Sequence, residues 1–322
     1  MTGAGADLWQ RRGVIQIAPE PGVDWWQSHA QNPTPLIFDD RHWRLYYAVR
    51  DQENRARMLW VDVDPLDEMR VIGRSDRPIL PLGVPGTFDS AGQGPSVALW
   101  RDGIAHLYYM GMHLRRDVPY GLALGLATSP DGAAFTRQCA GPVLSVGSVD
   151  PFFVSLAHIQ AEPTGFSAWY MSATGWTPRP EGPADADYGL RRAVSEDGLT
   201  WTPQDVLIAP GTANLPEGGG LARPWRARID GGERLYFSYR ARSDFRTDRD
   251  AAYRILSLPL DAEGLPAGPA EPLVFANPPT TSDWDGFMQA YPTILPLGQG
   301  HVMLYNGNGF GQTGFGWATR GL

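Results

Sequence analysis

Apolar residues along this chain fall in short runs that alternate with polar positions and stop at glycine, proline or Asp-Gly. That is the pattern of many short β-strands rather than of amphipathic helices. One unit recurs five times: an X-Pro step, an apolar strand, a short turn, then a second strand with an aromatic pair. The copies begin at Asn32-Pro33, Gly94-Pro95, Asp150-Pro151, Arg223-Pro224 and Tyr291-Pro292. Their second strands carry Tyr46-Tyr47, Tyr108-Tyr109, Trp169-Tyr170, Tyr236-Phe237 and Leu304-Tyr305.

Third strands are predicted at 58–63, 121–128, 189–195, 253–258 and 313–319. Two of them run into Ser129-Pro-Asp-Gly132 and Ser195-Glu-Asp-Gly198, where Asp-Gly supplies the positive φ of a tight turn. Fourth strands are predicted at 77–80, 141–144, 205–208 and 271–275. The fifth unit has none of its own, but Gly13-Val-Ile-Gln-Ile17 has the matching pattern. The chain is therefore predicted to be all-β: one domain, residues 1–322, forming a five-bladed β-propeller whose N-terminal strand completes the last blade and removes the exposed sheet edge. A β-sandwich with coincidental spacing is the alternative.

Composition narrows the chemistry. The 322 residues carry a net charge of -8, and all 27 basic residues are arginine. An acidic chain without basic runs argues against nucleic acid or anionic membrane as partner. Without lysine there is no Schiff-base or pyridoxal-phosphate chemistry and no Walker-type phosphate loop. Cys139 is alone and the histidines lack ligand spacing, so no disulfide, metal or cofactor is expected. No signal-peptide core stands between Met1 and Gln16, which makes the cytoplasm the expected location.

In a propeller the first strand of each blade lines a central channel, so residues at these strands converge on one funnel. Candidates for ligand binding are His29, Gln31, Asn32, Arg50, Gln93, His113, Trp176, Arg223, Arg240, Trp284, Asp285, Tyr291, Asn306 and Asn308. Candidate catalytic carboxylates are Asp150, Glu217, Asp89 and Asp51. Carboxylates, amides, arginines and indoles suit a polyhydroxylated small molecule, whose hydroxyls need donors and acceptors and whose C–H faces stack on rings.

Asp150-Pro-Phe-Phe, the two Asp-Gly hairpins and the proline-headed strands resemble the five-bladed glycoside hydrolases, the arabinanase, β-xylosidase and invertase-like enzymes. His29-Ala-Gln-Asn-Pro33, Thr87-Phe-Asp-Ser-Ala-Gly92, Phe245-Arg-Thr-Asp248 and Met303-Leu-Tyr-Asn-Gly-Asn-Gly-Phe-Gly311 followed by Thr313-Gly-Phe-Gly316 are similar to a glycosyl-hydrolase-like bacterial branch of that superfamily. The resemblance implies a blade-one carboxylate as base or nucleophile, a blade-three aspartate that orients or tunes, and a blade-four glutamate as acid. Asp150 matches the second role. Asn32 stands where the first is expected, and Arg223 where the third is, with Glu217 the nearest glutamate.

Three functions follow. One is an enzyme acting on a glycoside or sugar-derived metabolite, with Asp150 tuning, Glu217 or Asp89 donating the proton, and Asp51 or a water on His29 as base. Another is a carbohydrate-binding propeller without chemistry. The third is a biosynthetic enzyme doing transglycosylation, phosphorolysis or rearrangement, for which the funnel arginines suit an anionic substrate.

Overall fold

The computed structural model describes residues 8–15, 17–19 and 22–322, and the described chain is almost entirely strand and turn. Its strands form successive antiparallel meanders. The first comprises β2 (Ser28–Asp39), β3 (His42–Arg50), β4 (Ala56–Asp64) and β5 (Arg70–Arg74), after an N-terminal β1 (Gln10–Val14). The second holds β6 (Gly92–Arg101), β7 (Ile104–Leu114), β8 (Tyr120–Ser129) and β9 (Thr136–Arg137). The third holds β10 (Val154–Glu162), β11 (Gly165–Thr177), β12 (Asp185–Ser195) and β13 (Thr202–Ile208). Then come β14 (Gly220–Ile229), β15 (Gly232–Arg240), β16 (Arg254–Leu260) and β17 (Glu271–Pro272). The last is β18 (Ala290–Leu297), β19 (Gly300–Asn306) and β20 (Phe315–Arg320), with β1 as its fourth strand against β20.

Single parallel pairings, Ala56 to Gly92 and Tyr188 to Gly220, link the first meander to the second and the third to the fourth. The first strands of successive meanders pack side by side, β18 against β2 included. No ladder joins β18 to β2; side chains do it instead. Asn306 on β19 accepts from the Asn32 amide at 2.8 Å and donates to the Ala30 carbonyl at 2.7 Å, and Thr293 donates to the Pro33 carbonyl at 3.0 Å.

The X-Pro steps act through the missing N–H. Proline cannot donate to the ladder, so β2, β14 and β18 each bulge there, between Gln31 and Thr34, Ala222 and Trp225, and Ala290 and Thr293. The residue before each proline is driven to positive φ: Asn32 at 57°, Arg223 at 54°, Tyr291 at 60°. Non-glycine residues in that region are strained, and they hold it because the flanking strands are buried.

The aromatic pairs are buried between meanders. Tyr46 donates to the Gly132 carbonyl at 2.7 Å and Tyr108 to the Gly198 carbonyl at 3.0 Å, so each phenol reads the Asp-Gly turn of the next meander. Both glycines are doubly required. Their φ values are +70° and +77°, and an added Cβ would meet the phenol oxygen at 2.8 Å and 2.5 Å.

Three expectations need correction. The fourth strands at 77–80 and 141–144 are not strands: Pro78 and Pro142 interrupt the ladder, which leaves Ile79 bonded to Met58 and Leu144 to Leu124. The regular fourth strands lie earlier, at β5 and β9. The N-terminal strand is Gln10–Val14 rather than 13–17, with Gln16 outside the described residues; Arg11 fixes it through Asp285 and Asn277.

The third correction concerns Asp150-Pro151. This step lies before β10, whereas the other four lie inside their strands, so Asp150 is not the counterpart of Asn32, Arg223 or Tyr291. Its counterparts are Asp89 and Asp285. Each sits 20 residues before a tyrosine that donates to it: Tyr109 to Asp89 at 3.1 Å, Tyr170 to Asp150 and Tyr305 to Asp285 at 2.7 Å. An arginine from a third or fourth strand completes each anchor: Arg137 on β9 at 2.6 Å, Arg191 on β12 at 3.2 Å and Arg11 on β1 at 2.6 Å.

Candidate functional site

A cavity of about 430 Å³, within the range of small-molecule sites, opens where residues of several meanders meet. Its walls combine Gln31, Asn32 and Arg50 from the first meander with Gln93 from the second and Tyr188, Arg240 and Tyr291 from later ones. A larger cleft of about 730 Å³ lies elsewhere, but its Arg226 is already paired with Glu162 and Glu233 and its Arg192 with the Glu263 carbonyl. The smaller cavity holds the unspent groups.

Two amide oxygens of lining residues, Asn32 Oδ1 and Gln93 Oε1, have no partner and are sealed beneath the cavity wall. Both residues are at most 6 % exposed, and a buried acceptor left unpaired costs about 1–3 kcal/mol. For Gln93 the orientation is dictated: its Nε2 donates to the Pro81 carbonyl and to Asp89 Oδ2, both at 3.0 Å, which leaves the oxygen unpaired. The anchor at Asp89 thus aims a cavity residue.

Charge is unevenly placed. Among the described lining residues three arginines, Arg50, Arg240 and Arg246, face one aspartate, Asp185, an excess of two positive charges in a chain of net -8. Asp185 is already paired with Arg246 at 2.8 Å and lies 3.7 Å from Arg179. Arg50 donates to Gln31 Oε1 at 2.9 Å and Asn54 Oδ1 at 3.0 Å, and burial holds its guanidinium below the usual range. Arg240, 3 % exposed, donates to the Tyr188 hydroxyl at 3.1 Å and to the carbonyls of Ala186 and Ala241, and lies 4.0 Å above the Phe245 ring. Among the described residues no carboxylate pairs with either arginine.

Phenols form the remaining wall. The Tyr188 and Tyr253 hydroxyls are hydrogen-bonded to each other, and the Tyr253 ring packs 5.7 Å from Tyr291 and 6.0 Å from Phe310. Burial, reinforced by the neighbouring Tyr188, raises the Tyr253 hydroxyl well above its ordinary range.

Of the residues singled out from sequence, Gln31, Asn32, Arg50, Gln93, Arg240 and Tyr291 meet in the cavity. The others lie apart from it. Arg223 is fully buried at the junction of the first strands, donating to Pro95 O at 3.0 Å, Pro33 O at 3.1 Å, Thr34 Oγ1 at 2.8 Å and Thr293 Oγ1 at 3.2 Å. His29 borders a different cleft beside Trp26; burial first, then the Arg50 charge, pushes it down to about 4, so it is neutral at pH 7. His113 lines a small apolar cavity with Phe88 and Phe152, and Trp176 packs on Tyr120 and Phe153. Trp284 packs on Tyr305, Asn306 ties β19 to β2, and Asn308 accepts from the Phe287 and Met288 amides.

The four candidate carboxylates are also elsewhere. Asp51 is paired with Arg55 at 2.8 Å and Arg57 at 2.5 Å, which hold it below the usual carboxylate range against the opposing effect of burial. Asp89 and Asp150, like Asp285, are the centres of buried anchors. Glu217 is exposed in a turn. It occupies the position 20 before Phe237 (237 − 217), where the second strand offers no hydroxyl to draw a carboxylate inward.

Sequence reasoning missed Asp185, Tyr188, Tyr253, Phe245, Arg246 and Phe310, which lie on third strands and the loops joining them rather than on the innermost strand. Phe245 and Arg246 belong to one of the strings that carried the resemblance; nothing in the spacing marked Asp185 or Tyr188.

The fold is that of the glycoside hydrolase propellers. The chain superposes on a glycosyl hydrolase from Bacteroides ovatus with a TM-score of 0.67 at 16% identity, covering 97% of this chain and 93% of that one. A structure from the GH130 family of mannoside phosphorylases, which contains glycoside hydrolases that target β-1,2 mannosidic linkages in Candida mannan, gives 0.67 at 15%, covering 99% and 95%. A thermostable family-43 glycoside hydrolase gives 0.59 at 13%, covering 92% and 90%. No protein-family model matches the chain. In sequence it is 30% identical over 321 residues, 97% of its length and 98% of the relative's, to "Uncharacterized protein Rv1502" of Mycobacterium tuberculosis (strain ATCC 25618 / H37Rv). The chain belongs to the family of that mycobacterial protein. No helix among the described residues is long and apolar enough to cross a membrane.

Proposed function

We propose that this chain is a single-domain, five-bladed propeller enzyme acting on a glycosidic bond of a sugar-like substrate held in the 430 Å³ cavity. The observation that carries the reading is a cavity lined by the amide residues Gln31, Asn32 and Gln93 and rimmed by aromatic rings. Amide side chains suit sugar hydroxyls, which need donors and acceptors, while C–H faces stack on the phenols. The likeness in fold to glycoside hydrolases points the same way.

Hydrolysis by two carboxylates is not the chemistry this reading favours. Such enzymes place two carboxyl groups about 5–10 Å apart around the substrate. Here Asp51, Asp89 and Asp150 are spent on arginines and phenols, Glu217 is exposed, and among the described residues Asp185 is the one carboxylate lining the cavity. Tyr188 is the group for proton transfer. Negative charge that develops on its oxygen meets the Arg240 Nε–H at 3.1 Å and the Tyr253 hydroxyl. Glycosyl transfer or phosphorolysis, in which the acceptor brings its own nucleophile, asks less of the protein than activation of water.

The test is turnover of a panel of aryl glycosides and glycosyl phosphates, with phosphate and hydroxyl acceptors supplied. Tyr188→Phe and Asp185→Asn are each expected to lower kcat at least a hundredfold, the scale of general acid–base catalysis. Asp150→Asn in folded protein should change kcat less than threefold. Absence of turnover together with saturable sugar binding would favour a non-catalytic binding propeller, the reading that the lack of a second cavity carboxylate also suits. Loss of kcat in Asp150→Asn with unaffected Tyr188→Phe would overturn the assignment.

A further inference from the structure

Arg50 and Arg240 are cations without counter-ions. A guanidinium removed from water is costly unless an anion meets it, and the several kcal/mol involved are recovered only by close, well-aligned partners. Elsewhere the buried Arg44 holds Asp62 at 2.8 Å, and the partly buried Arg11, Arg137 and Arg191 each hold a buried aspartate; Arg223, sealed from any cavity, is the exception and is met by carbonyls and hydroxyls alone. At the cavity Arg50 has two neutral amide acceptors, and Arg240 has a phenol and two carbonyls. Among the described lining residues the one carboxylate, Asp185, is taken by Arg246 and Arg179. Among the described residues Nη2 of Arg50 makes no hydrogen bond and is not sealed from the cavity, so its two protons are available to a ligand.

We infer that the missing counter-ion belongs to the substrate: the cavity takes an anionic sugar. Its carboxylate or phosphate lies against Arg50 and the Arg240–Arg246 pair, and its hydroxylated ring lies along the amide and aromatic wall. The lining sorts the ligand into two ends, a charged one at the arginines and a neutral one at Gln31, Asn32, Gln93 and the rings. A neutral sugar meets that wall and leaves the arginines as they are. Inorganic phosphate does the reverse. Planar forked guanidinium groups suit carboxylate and phosphate alike, so the protein's chemistry fixes the charge and leaves the acid to experiment. This inference rests on the proposed sugar-binding role of the cavity.

Titration calorimetry on the intact protein tests it with matched ligands: glucose, glucuronate, glucose 1-phosphate, mannose, mannose 1-phosphate and inorganic phosphate alone. At least one anionic sugar is expected to bind tenfold or more tighter than its neutral parent and tighter than phosphate, with affinity falling as salt rises. Preference for glucuronate identifies a uronic acid, and preference for a glycosyl phosphate identifies a phosphate ester. Arg50→Gln should reduce the anionic preference to within about threefold while leaving the urea midpoint unchanged; Asn32→Leu should weaken neutral and anionic sugars together. Equal binding of neutral and anionic sugars overturns the inference and leaves the sugar-binding role standing. Phosphate binding as tightly as any sugar phosphate, or no binding by any ligand, overturns both.

Discussion

Asp150 separates an anchoring role from a catalytic one, and the structure sets the size of the effect. Its carboxylate, 1 % exposed, accepts from Tyr170 at 2.7 Å, from the Ser172 hydroxyl and from Arg191 Nε at 3.2 Å. Asparagine keeps Oδ1, which receives Ser172 and Arg191, but without its charge. A hydrogen bond to an ionised acceptor is worth about 1.5–3 kcal/mol against about 0.5–1.5 for a neutral one, so these two lose about 1 kcal/mol each. On the other side an NH₂ group replaces the acceptor of the Tyr170 proton, leaving a buried donor unmet for about 1–3 kcal/mol more. Asp150→Asn should therefore destabilise by about 3–5 kcal/mol, and Tyr170→Phe, which removes one bond, by about half that. Equilibrium urea unfolding followed by tryptophan fluorescence measures both, with Asp76→Asn, exposed beside Arg77, as a control whose midpoint should not move. A stability for Asp150→Asn within about 0.5 kcal/mol of wild type would refute the anchoring role, as would a stable variant that has lost ligand binding.

Asp285→Asn, centred on the same motif with Tyr305 and Arg11, should cost a similar amount and in addition expose the N-terminal strand to limited proteolysis, since Arg11 reaches Asp285 from β1. Resistance of that strand to protease would count against Arg11 as its tether. Gly132→Ala must place a Cβ 2.8 Å from the Tyr46 oxygen at φ +70°, and a loss of about 2 kcal/mol or more is expected by urea unfolding. Both Arg223→Met and Arg223→Ala leave the Pro95 carbonyl unpaired, but methionine fills the space of the guanidinium and alanine leaves a void, so the alanine variant should be less stable than the methionine one by about 2 kcal/mol or more in urea unfolding. Burial, then the charges of Arg223 and Arg226, pushes His158 down to about 3, below its ordinary 6.5. The unfolded chain binds that proton first, so stability present above pH 6.5 is lost as pH falls toward 3, by about 1.4 kcal/mol per unit. His158→Phe should flatten that slope in pH-dependent unfolding, and an unaltered slope would disprove the assignment.

The all-β character, the second and third strands and the tight turns could be read from the sequence, because each rests on local chemistry. Alternation of apolar residues, Asp-Gly at positive φ and proline without an N–H act over a few residues, and the order in the chain reports them directly. The second and third strands were legible to within a few residues for that reason. The fourth strands near Pro78 and Pro142 were not, since whether an outer strand pairs depends on what its neighbour offers. Gln31, Asn32, Arg50, Gln93, Arg240 and Tyr291 could be placed in the cavity because inner-strand positions and second-strand ends face it once the repeat is known.

Which carboxylates are free was decided in three dimensions. Asp89, Asp150 and Asp285 look like Glu217 in a sequence, as acidic residues ahead of an inner strand. Tyrosines 20 residues on and arginines from third or fourth strands draw the first three inward, and Phe237 leaves Glu217 in water. Pairing is a property of distance in space, and an ion pair between Arg11 and Asp285 spans nearly the whole chain. The same holds for the orphaned arginines: that Arg50 and Arg240 lack partners is known only when every group around them has been placed.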